Sequence, residues 1–142
     1  MIVVDASVWI GLLLPDDLYH ATSRRWIRDW GEAGGTIAAP TIFLPEVAGA
    51  IARRTTNTGF GTRAIADILA DPTVYLVAVD DELAEAAGAI AATHRLRGAD
   101  AVYVALAAPL VTWDQEQIER IADVISALTP ATAPTRPLLT AT

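Results

Sequence analysis

Four acidic residues stand where an apolar stretch meets a turn or the start of a predicted helix. They are Asp5, Glu46, Asp100 and Asp114. In a chain of alternating strands and helices, such positions gather at one edge of the sheet, beyond the carboxyl ends of the strands. Carboxylates brought together repel one another unless a cation neutralises them, and hard ions such as Mg²⁺ prefer oxygen ligands. These acids therefore predict a shared site for a divalent cation.

Each acid also has an explanation that involves no function. Asp5 fits the N-cap of the helix that follows it, and Asp100 fits the negatively charged first turn of its own helix. Asp114 forms a capping-box pattern with Gln117. Glu46 lies in a helix beside apolar residues, where a buried carboxylate is costly without a cation, unless it faces solvent. Taken together, acids from separate elements are explained more simply by one shared site.

The elements that must position these acids alternate along the chain. Strands are predicted at 2–5, 36–39, 74–79 and 110–112, with an edge strand at 124–128, and helices at 7–14, 17–33, 42–54, 63–70, 81–95, 99–107 and 115–122. The polar, Gly-containing stretch 55–62 predicts a loop. The alternation predicts an α/β fold with a mostly parallel four- or five-stranded sheet flanked by helices on both faces.

The length and composition fit one globular domain. The chain has 142 residues, of which 53% are hydrophobic and 19% charged, which excludes a disordered chain. We expect a domain over residues 1–128 and a mobile extension over 129–142, in which Leu138 and Leu139 could dock. No apolar run reaches the ~20 residues of a membrane span, and no basic segment precedes the first strand, so we expect neither membrane insertion nor a signal peptide.

The charged and sulfur-containing residues exclude several kinds of chemistry. The net charge of −7 argues against a broad nucleic-acid-binding face, although a bound cation would offset part of it. There is no Cys, which removes disulfides and thiol nucleophiles and is compatible with a reducing cytoplasm. All ten basic residues are Arg, so Schiff-base chemistry and a P-loop lysine are excluded.

Four segments of the sequence carry a family resemblance. They are 1–8, 44–47, 97–107 and 110–114, and the segment around Asp100 is the most specific of them. Together they resemble the PIN domain, and more narrowly the PIN-domain ribonuclease toxins of VapBC toxin–antitoxin systems. The resemblance covers residues 1 to about 128 and implies a three-layer α/β fold.

The resemblance implies a Mg²⁺- or Mn²⁺-dependent endoribonuclease. By position, Asp5, Glu46, Asp100 and Asp114 match the family's acidic residues, which bind metal and carry catalysis. Ser7 and Thr112 match the hydroxyl residues that support them. The resemblance also implies a homodimer and an antitoxin protein that inhibits the toxin. Whether one or two ions bind stays open.

One segment departs from the family pattern. The connection from Gly98 to Pro109 is several residues shorter than is usual in the family that the chain resembles. It is at the lower limit of about a dozen residues for a crossover between parallel strands. Either the helix after Asp100 is short, or the edge of the sheet near Asp114 is rearranged. The placement of Asp114 depends on this point more than that of the other acids.

Other polar residues could serve the same site. Arg53 and Arg54 follow the Glu46 helix and could contact RNA phosphates, or they could be an ordinary solvated helix end. Arg97 could steer RNA or end the preceding helix. The helical contexts of His20 and His94 place neither with the acids.

Two other classes of function are compatible with a doubly wound sheet. A receiver domain requires a late Lys, and a dehalogenase-type phosphatase requires a second Asp where Ser7 stands, so phosphoryl-transfer chemistry fits poorly. A non-catalytic PIN-like scaffold that binds a partner is the main alternative. The complete acidic set argues against it, and the shortened crossover favours it.

Overall fold

The computed structural model describes residues 1–106 and 108–137. The strands are β1 Ile2–Val4, β2 Ile37–Pro40, β3 Val74–Val77, β4 Leu110–Val111 and β5 Ala127–Leu128. The helices are α1 Ala6–Leu13, α2 His20–Glu32, α3 Phe43–Thr55, α4 Thr58–Ala70, α5 Asp81–His94, α6 Gly98–Ala105 and α7 Gln115–Arg120. The strands form one parallel sheet in the order β3-β2-β1-β4-β5, which confirms the predicted fold class. Over the described residues, none of the helices combines the length and apolar character needed to span a bilayer.

The central strands are buried on both faces. Ile2, Val3 and Val4 of β1 are all buried, as are Leu110 and Val111 of β4. Helices cover both faces of a parallel sheet, so its inner strands are continuous apolar runs rather than alternating ones. This is why the unbroken run at the N-terminus forms the middle of the sheet.

The strand order creates a switch point between β1 and β4. The chain leaves β1 toward β2 and leaves β4 toward β5, so the two connections run in opposite directions. Right-handed crossovers then place α1–α4 on one face and α5–α7 on the other. Ligands of such sheets bind beside the carboxyl ends of the strands at this point. Asp5 directly follows β1, and Thr112 directly follows β4.

The predicted loop at 55–62 is wrong over most of its length. Helix α4 begins at Thr58, because the side chain of Asn57 accepts hydrogen bonds from the N–H groups of Gly59 and Phe60. Gly61 serves close packing rather than a turn: a Cβ atom there would lie 2.6 Å from the carbonyl oxygen of Ala48 on α3. The helix α2 also begins later than predicted, at His20.

The short crossover leaves the sheet intact. Helix α6 has 8 residues, and β4 pairs with β1 in parallel, with Val3 opposite Leu110. The first of the two alternatives, a short helix, is therefore the observed one. Part of the C-terminal extension lies against the core: Ala133 is buried, and Trp26 Nε1 donates to the carbonyl oxygen of Pro134 at 3.0 Å. Mobility of the extension stays a prediction, and Leu138 and Leu139 lie outside the described residues.

Candidate active site

Asp5 is a buried carboxylate at the junction of β1 and α1. Its side chain is the N-cap of α1, where Oδ2 accepts a hydrogen bond from the Ser7 N–H at 2.9 Å. The same oxygen accepts a bond from Thr112 Oγ1 at 3.3 Å. Only 8% of the Asp5 surface is exposed. The capping role predicted for Asp5 is confirmed, and it fixes the carboxylate at the carboxyl end of β1.

Thr112 and Ser7 join the ends of the two central strands. Their hydroxyl oxygens lie 3.4 Å apart. Ser7 Oγ accepts a bond from the Trp113 N–H, and Thr112 Oγ1 accepts one from the Asp114 N–H, both at 3.0 Å. These bonds hold the segment after β4 beside Asp5. The predicted supporting residues therefore contact the acid that they were predicted to support.

Glu46 lies in the first turn of α3 and is half-buried. Its Oε2 accepts a hydrogen bond from the hydroxyl of Tyr103, a fully buried residue on α6. Burial and the negative charge of Asp5 raise the pKa of Tyr103, so the phenol remains a donor at neutral pH. Tyr103 therefore ties Glu46 to the helix that carries Asp100.

Asp100 and Asp114 are bridged by an arginine. Arg97 Nε donates to Asp100 Oδ2 at 2.8 Å, and Arg97 Nη2 donates to Asp114 Oδ2 at 2.9 Å. Asp100 lies in the first turn of α6, and Asp114 caps α7 by accepting from the Gln117 N–H at 2.9 Å. The predicted capping role of Asp114 is confirmed. One guanidinium thus links acids from two different elements.

The acids affect one another electrostatically. Burial raises the pKa of Asp5, and the negative charge of Asp100 raises it further, against the hydrogen bonds from Ser7 and Thr112. Burial also raises the pKa of Glu46, as do the charges of Asp5 and Asp100, while the Tyr103 bond and Arg97 lower it. This mutual repulsion agrees with the contacts that hold Glu46 against α6 and Asp5 against the segment after β4.

The donor atoms fit a hard divalent cation in chemistry, since they are carboxylate and hydroxyl oxygens without thiols. Arg97 shows that a positive group is accommodated between Asp100 and Asp114. In the present arrangement, however, no three acidic or histidine side chains of residues 1–106 and 108–137 stand close enough to hold a metal. The residues therefore fit a cation if the carboxylates turn toward one centre.

The structure also gives the contacts of the other polar residues considered from sequence. His20 Nδ1 lies 3.0 Å from the carbonyl oxygen of Gly11, and His94 lies beside Asp123, so neither joins the acids. Arg54 is paired at 2.6 Å with Asp17, which is not one of the four candidate acids. Arg53 instead lines a cavity of about 510 Å³ with Glu46.

Three residues of the site were not recognised as such from sequence. Arg97 was predicted to be a steering or helix-end residue, and no sequence pattern indicated that Tyr103 contacts Glu46. Gln117 is buried: its Nε2 donates to the carbonyl oxygen of Asp100 at 3.2 Å, and its Oε1 has no partner among the described residues. Spacing gave one usable signal, since Arg97 precedes Asp100 by three residues at a helix start.

Comparisons with known proteins agree with this architecture. The sequence profile of the PIN domain matches residues 2–124. The VapC20 toxin of Mycobacterium tuberculosis, described as cleaving the sarcin-ricin loop, is similar at TM-score 0.72 and 22% identity, over 84% of this chain and 94% of that one. FitAcB of Neisseria gonorrhoeae is similar at TM-score 0.68 and 18% identity, over 94% and 100%. A toxin–antitoxin complex from Klebsiella pneumoniae is similar at TM-score 0.66 and 18% identity, over 92% and 98%. No curated protein sequence matches the chain.

Proposed function

We infer the function from one premise: the chain belongs to the PIN domain family. We propose that it is a divalent-metal-dependent endoribonuclease and the toxin of a type II toxin–antitoxin system. The observation that carries this proposal is a chain of contacts around the switch point of the sheet. Thr112 donates to Asp5, Tyr103 of α6 donates to Glu46, and Arg97 donates to both Asp100 and Asp114. Structural likeness to the VapC20 toxin and to a toxin–antitoxin complex supports the narrower assignment.

We assign Asp5 and Asp100 as the principal holders of a Mg²⁺ or Mn²⁺ ion, with Glu46 and Asp114 completing the acidic set. When bound there, such an ion would supply the activation of water and the charge compensation that hydrolysis of a phosphodiester requires. Thr112 and Ser7 orient Asp5 through the hydrogen bonds described above. Groups that orient metal ligands in this way typically affect affinity or activity roughly 10–100-fold.

The RNA backbone would approach the exposed side of Glu46. Arg53 lines the cavity beside this residue, together with Ala99 and Val102 of α6. Its position supports a phosphate contact, whereas Arg54 is already engaged by Asp17. Of the two predicted RNA contacts, we therefore propose Arg53 as the principal one. A homodimer and a cognate antitoxin partner complete the proposal, and both follow from the toxin assignment.

Cleavage of RNA by metal-loaded protein tests the proposal directly. Wild type should cleave a structured RNA in Mg²⁺ or Mn²⁺ and not in chelator. Asp5→Asn and Asp100→Asn should each lower the rate by more than about 100-fold, beyond the effect of groups that only orient a ligand. Asp67→Asn is the matched control, because Asp67 is an exposed acid on α4 that pairs with Arg63. Equal cleavage by all four proteins would refute the site, and cleavage of DNA alone would refute the substrate class.

A non-catalytic partner-binding scaffold remains the second candidate. The observation that favours it is the absence, within the described residues, of three acids gathered closely enough for a metal. In that case Arg97 would be a permanent structural counter-ion. This candidate would be favoured if the wild-type protein does not bind Mn²⁺ and does not cleave RNA, but still binds a partner.

A further inference from the structure

Arg97 occupies a distinctive place in the candidate active site. It is the residue before α6, and its carbonyl oxygen accepts the Ala101 N–H at 3.0 Å, so its backbone is fixed by the start of that helix. Its guanidinium contacts Asp100 and Asp114 with two different nitrogen atoms. The side chain itself is 76% exposed, compared with 16% and 28% for the two acids. Arg97 thus reaches over the acids from solvent.

The bridging guanidinium competes with any other cation for the same oxygen atoms. Both of its contacts use Oδ2 atoms, on Asp100 and on Asp114. A divalent ion that binds these carboxylates would face a positive charge at hydrogen-bond distance from its own ligands. The guanidinium and the divalent ion repel each other at such short range, so they cannot both bind the two carboxylates at the same time.

We propose that Arg97 is a built-in counter-cation, which holds Asp100 and Asp114 in the metal-free protein and which a divalent ion must displace. This inference rests on the proposed function, because it requires that the acids bind a metal. The exposure of Arg97 makes the exchange possible: its side chain can rotate into solvent without disturbing packed residues. The exchange also explains why no three acids are gathered while Arg97 is bound, since its two contacts hold Asp100 and Asp114 toward the arginine.

Other roles for Arg97 are less consistent with the contacts. A residue that ends the preceding helix would donate to the last carbonyl groups of α5, whereas the hydrogen bonds of the Arg97 side chain go to carboxylates. Arg97, Asp100 and Asp114 line a cavity of about 290 Å³ together with Arg95 and Arg120. The side chain of Arg120 donates to the backbone carbonyl oxygen of Arg95 and to Glu116. Among the arginines of this cavity, Arg97 is therefore the one whose contacts join the two acids.

The affinity for Mn²⁺, measured by calorimetry on chelator-treated protein without RNA, tests the proposal. Arg97→Gln should bind Mn²⁺ about three- to tenfold more tightly than wild type, since two ion pairs to an exposed arginine provide competition of that size. Arg97→Lys should lie between them, because an ammonium group lacks the planar fork that bridges two carboxylates. Arg95→Gln is the matched control and should bind Mn²⁺ with wild-type affinity.

The results separate this proposal from the proposed function. Equal or weaker Mn²⁺ binding by Arg97→Gln, with wild type that binds Mn²⁺ and cleaves RNA, would overturn the counter-cation role alone. A tighter Arg95→Gln would show a general charge effect and would also overturn it. If neither wild type nor Arg97→Gln binds Mn²⁺ and RNA is not cleaved, both proposals fall. Urea unfolding of each variant confirms that the exposed substitutions leave the fold intact.

Discussion

Replacing Asp5 by Asn should make the metal-free protein more stable while removing its proposed activity. Asn keeps the shape and an oxygen that accepts the Ser7 N–H, so the N-cap of α1 is retained. What disappears is a buried negative charge that burial and Asp100 disfavour. Uncompensated burial of polar groups costs about 1–3 kcal/mol in proteins, and we expect the free energy of unfolding at pH 7 to rise by that order.

The pH dependence of this gain follows from the direction of the pKa shift. The folded-state pKa of Asp5 lies above its ordinary value of 3.8, so the carboxyl group favours folding while it is protonated. That contribution is fully present below 3.8 and is lost as the pH rises through the folded-state pKa. Asn does not titrate. The stability difference between Asp5→Asn and wild type should therefore be small at low pH and grow as the pH rises past 3.8.

Urea unfolding in the presence of chelator, at pH values below and above 3.8, measures the difference in stability between Asp5→Asn and wild type. Asp5→Ala is the informative control, because it removes the charge and also the cap, which is worth about 1 kcal/mol. It should be less stable than Asp5→Asn. Added Mg²⁺ should stabilise wild type and not Asp5→Asn, because ligands stabilise only the state that binds them. A gain that is absent at pH 7, or equal at all pH values, would refute the assignment of Asp5 as a strained, electrostatically coupled acid.

Three further substitutions test other parts of the site. Tyr103→Phe removes the hydrogen bond that lowers the pKa of Glu46, so this pKa should rise. The acid limb of the pH profile for RNA cleavage should then move to higher pH, and an acid limb that does not move would contradict the prediction. Thr112→Val removes the hydrogen bonds to Asp5 and from the Asp114 N–H. The affinity for Mn²⁺, measured by calorimetry, should therefore fall about tenfold, and an unchanged affinity would exclude an orienting role for Thr112. Arg53→Gln should reduce the salt dependence of RNA binding by a slope of about 1, while Arg54→Gln should not, and equal slopes would contradict the assignment of Arg53.

The parallel sheet, and the edge at which the acids were expected, could be predicted from sequence because local patterns determine them. The apolar run before Asp5 can be satisfied only in a strand covered on both faces, and such strands are parallel and central. Alternation with helices then places the carboxyl ends of the strands at one edge. The strand order that sets β1 beside β4 was not predicted, because it depends on how distant segments pair. The start of α4 was missed because Gly residues and polar residues also occur in loops. The side chain of Asn57 sets the start of α4, and the close approach of Gly61 to α3 allows the helix to pack. Of these two features, only the approach of Gly61 depends on tertiary structure.

The contacts inside the site were harder to predict because they join residues far apart in the chain. Tyr103 meets Glu46 across 57 positions, and Arg97 meets Asp114 across 17. No periodicity within one element reports such a pair, since it depends on how two elements pack. The acids themselves could be proposed from sequence, whereas the contacts that Tyr103 and Arg97 make with them could not.

Capping and the proposed metal site are compatible explanations of the acids in this fold. Asp5 and Asp114 are the N-caps of α1 and α7, while Glu46 and Asp100 lie in the first turns of α3 and α6. Each acid therefore lies at the positive end of a helix dipole, which stabilises a negative group there by about 0.3–1 kcal/mol. Four helix N-termini directed at one edge of the sheet offset part of the repulsion among the carboxylates before any cation arrives. The N-cap bond of Asp5 and that of Asp114 each use one oxygen atom, so a carboxylate can cap its helix and still offer its other oxygen to a cation.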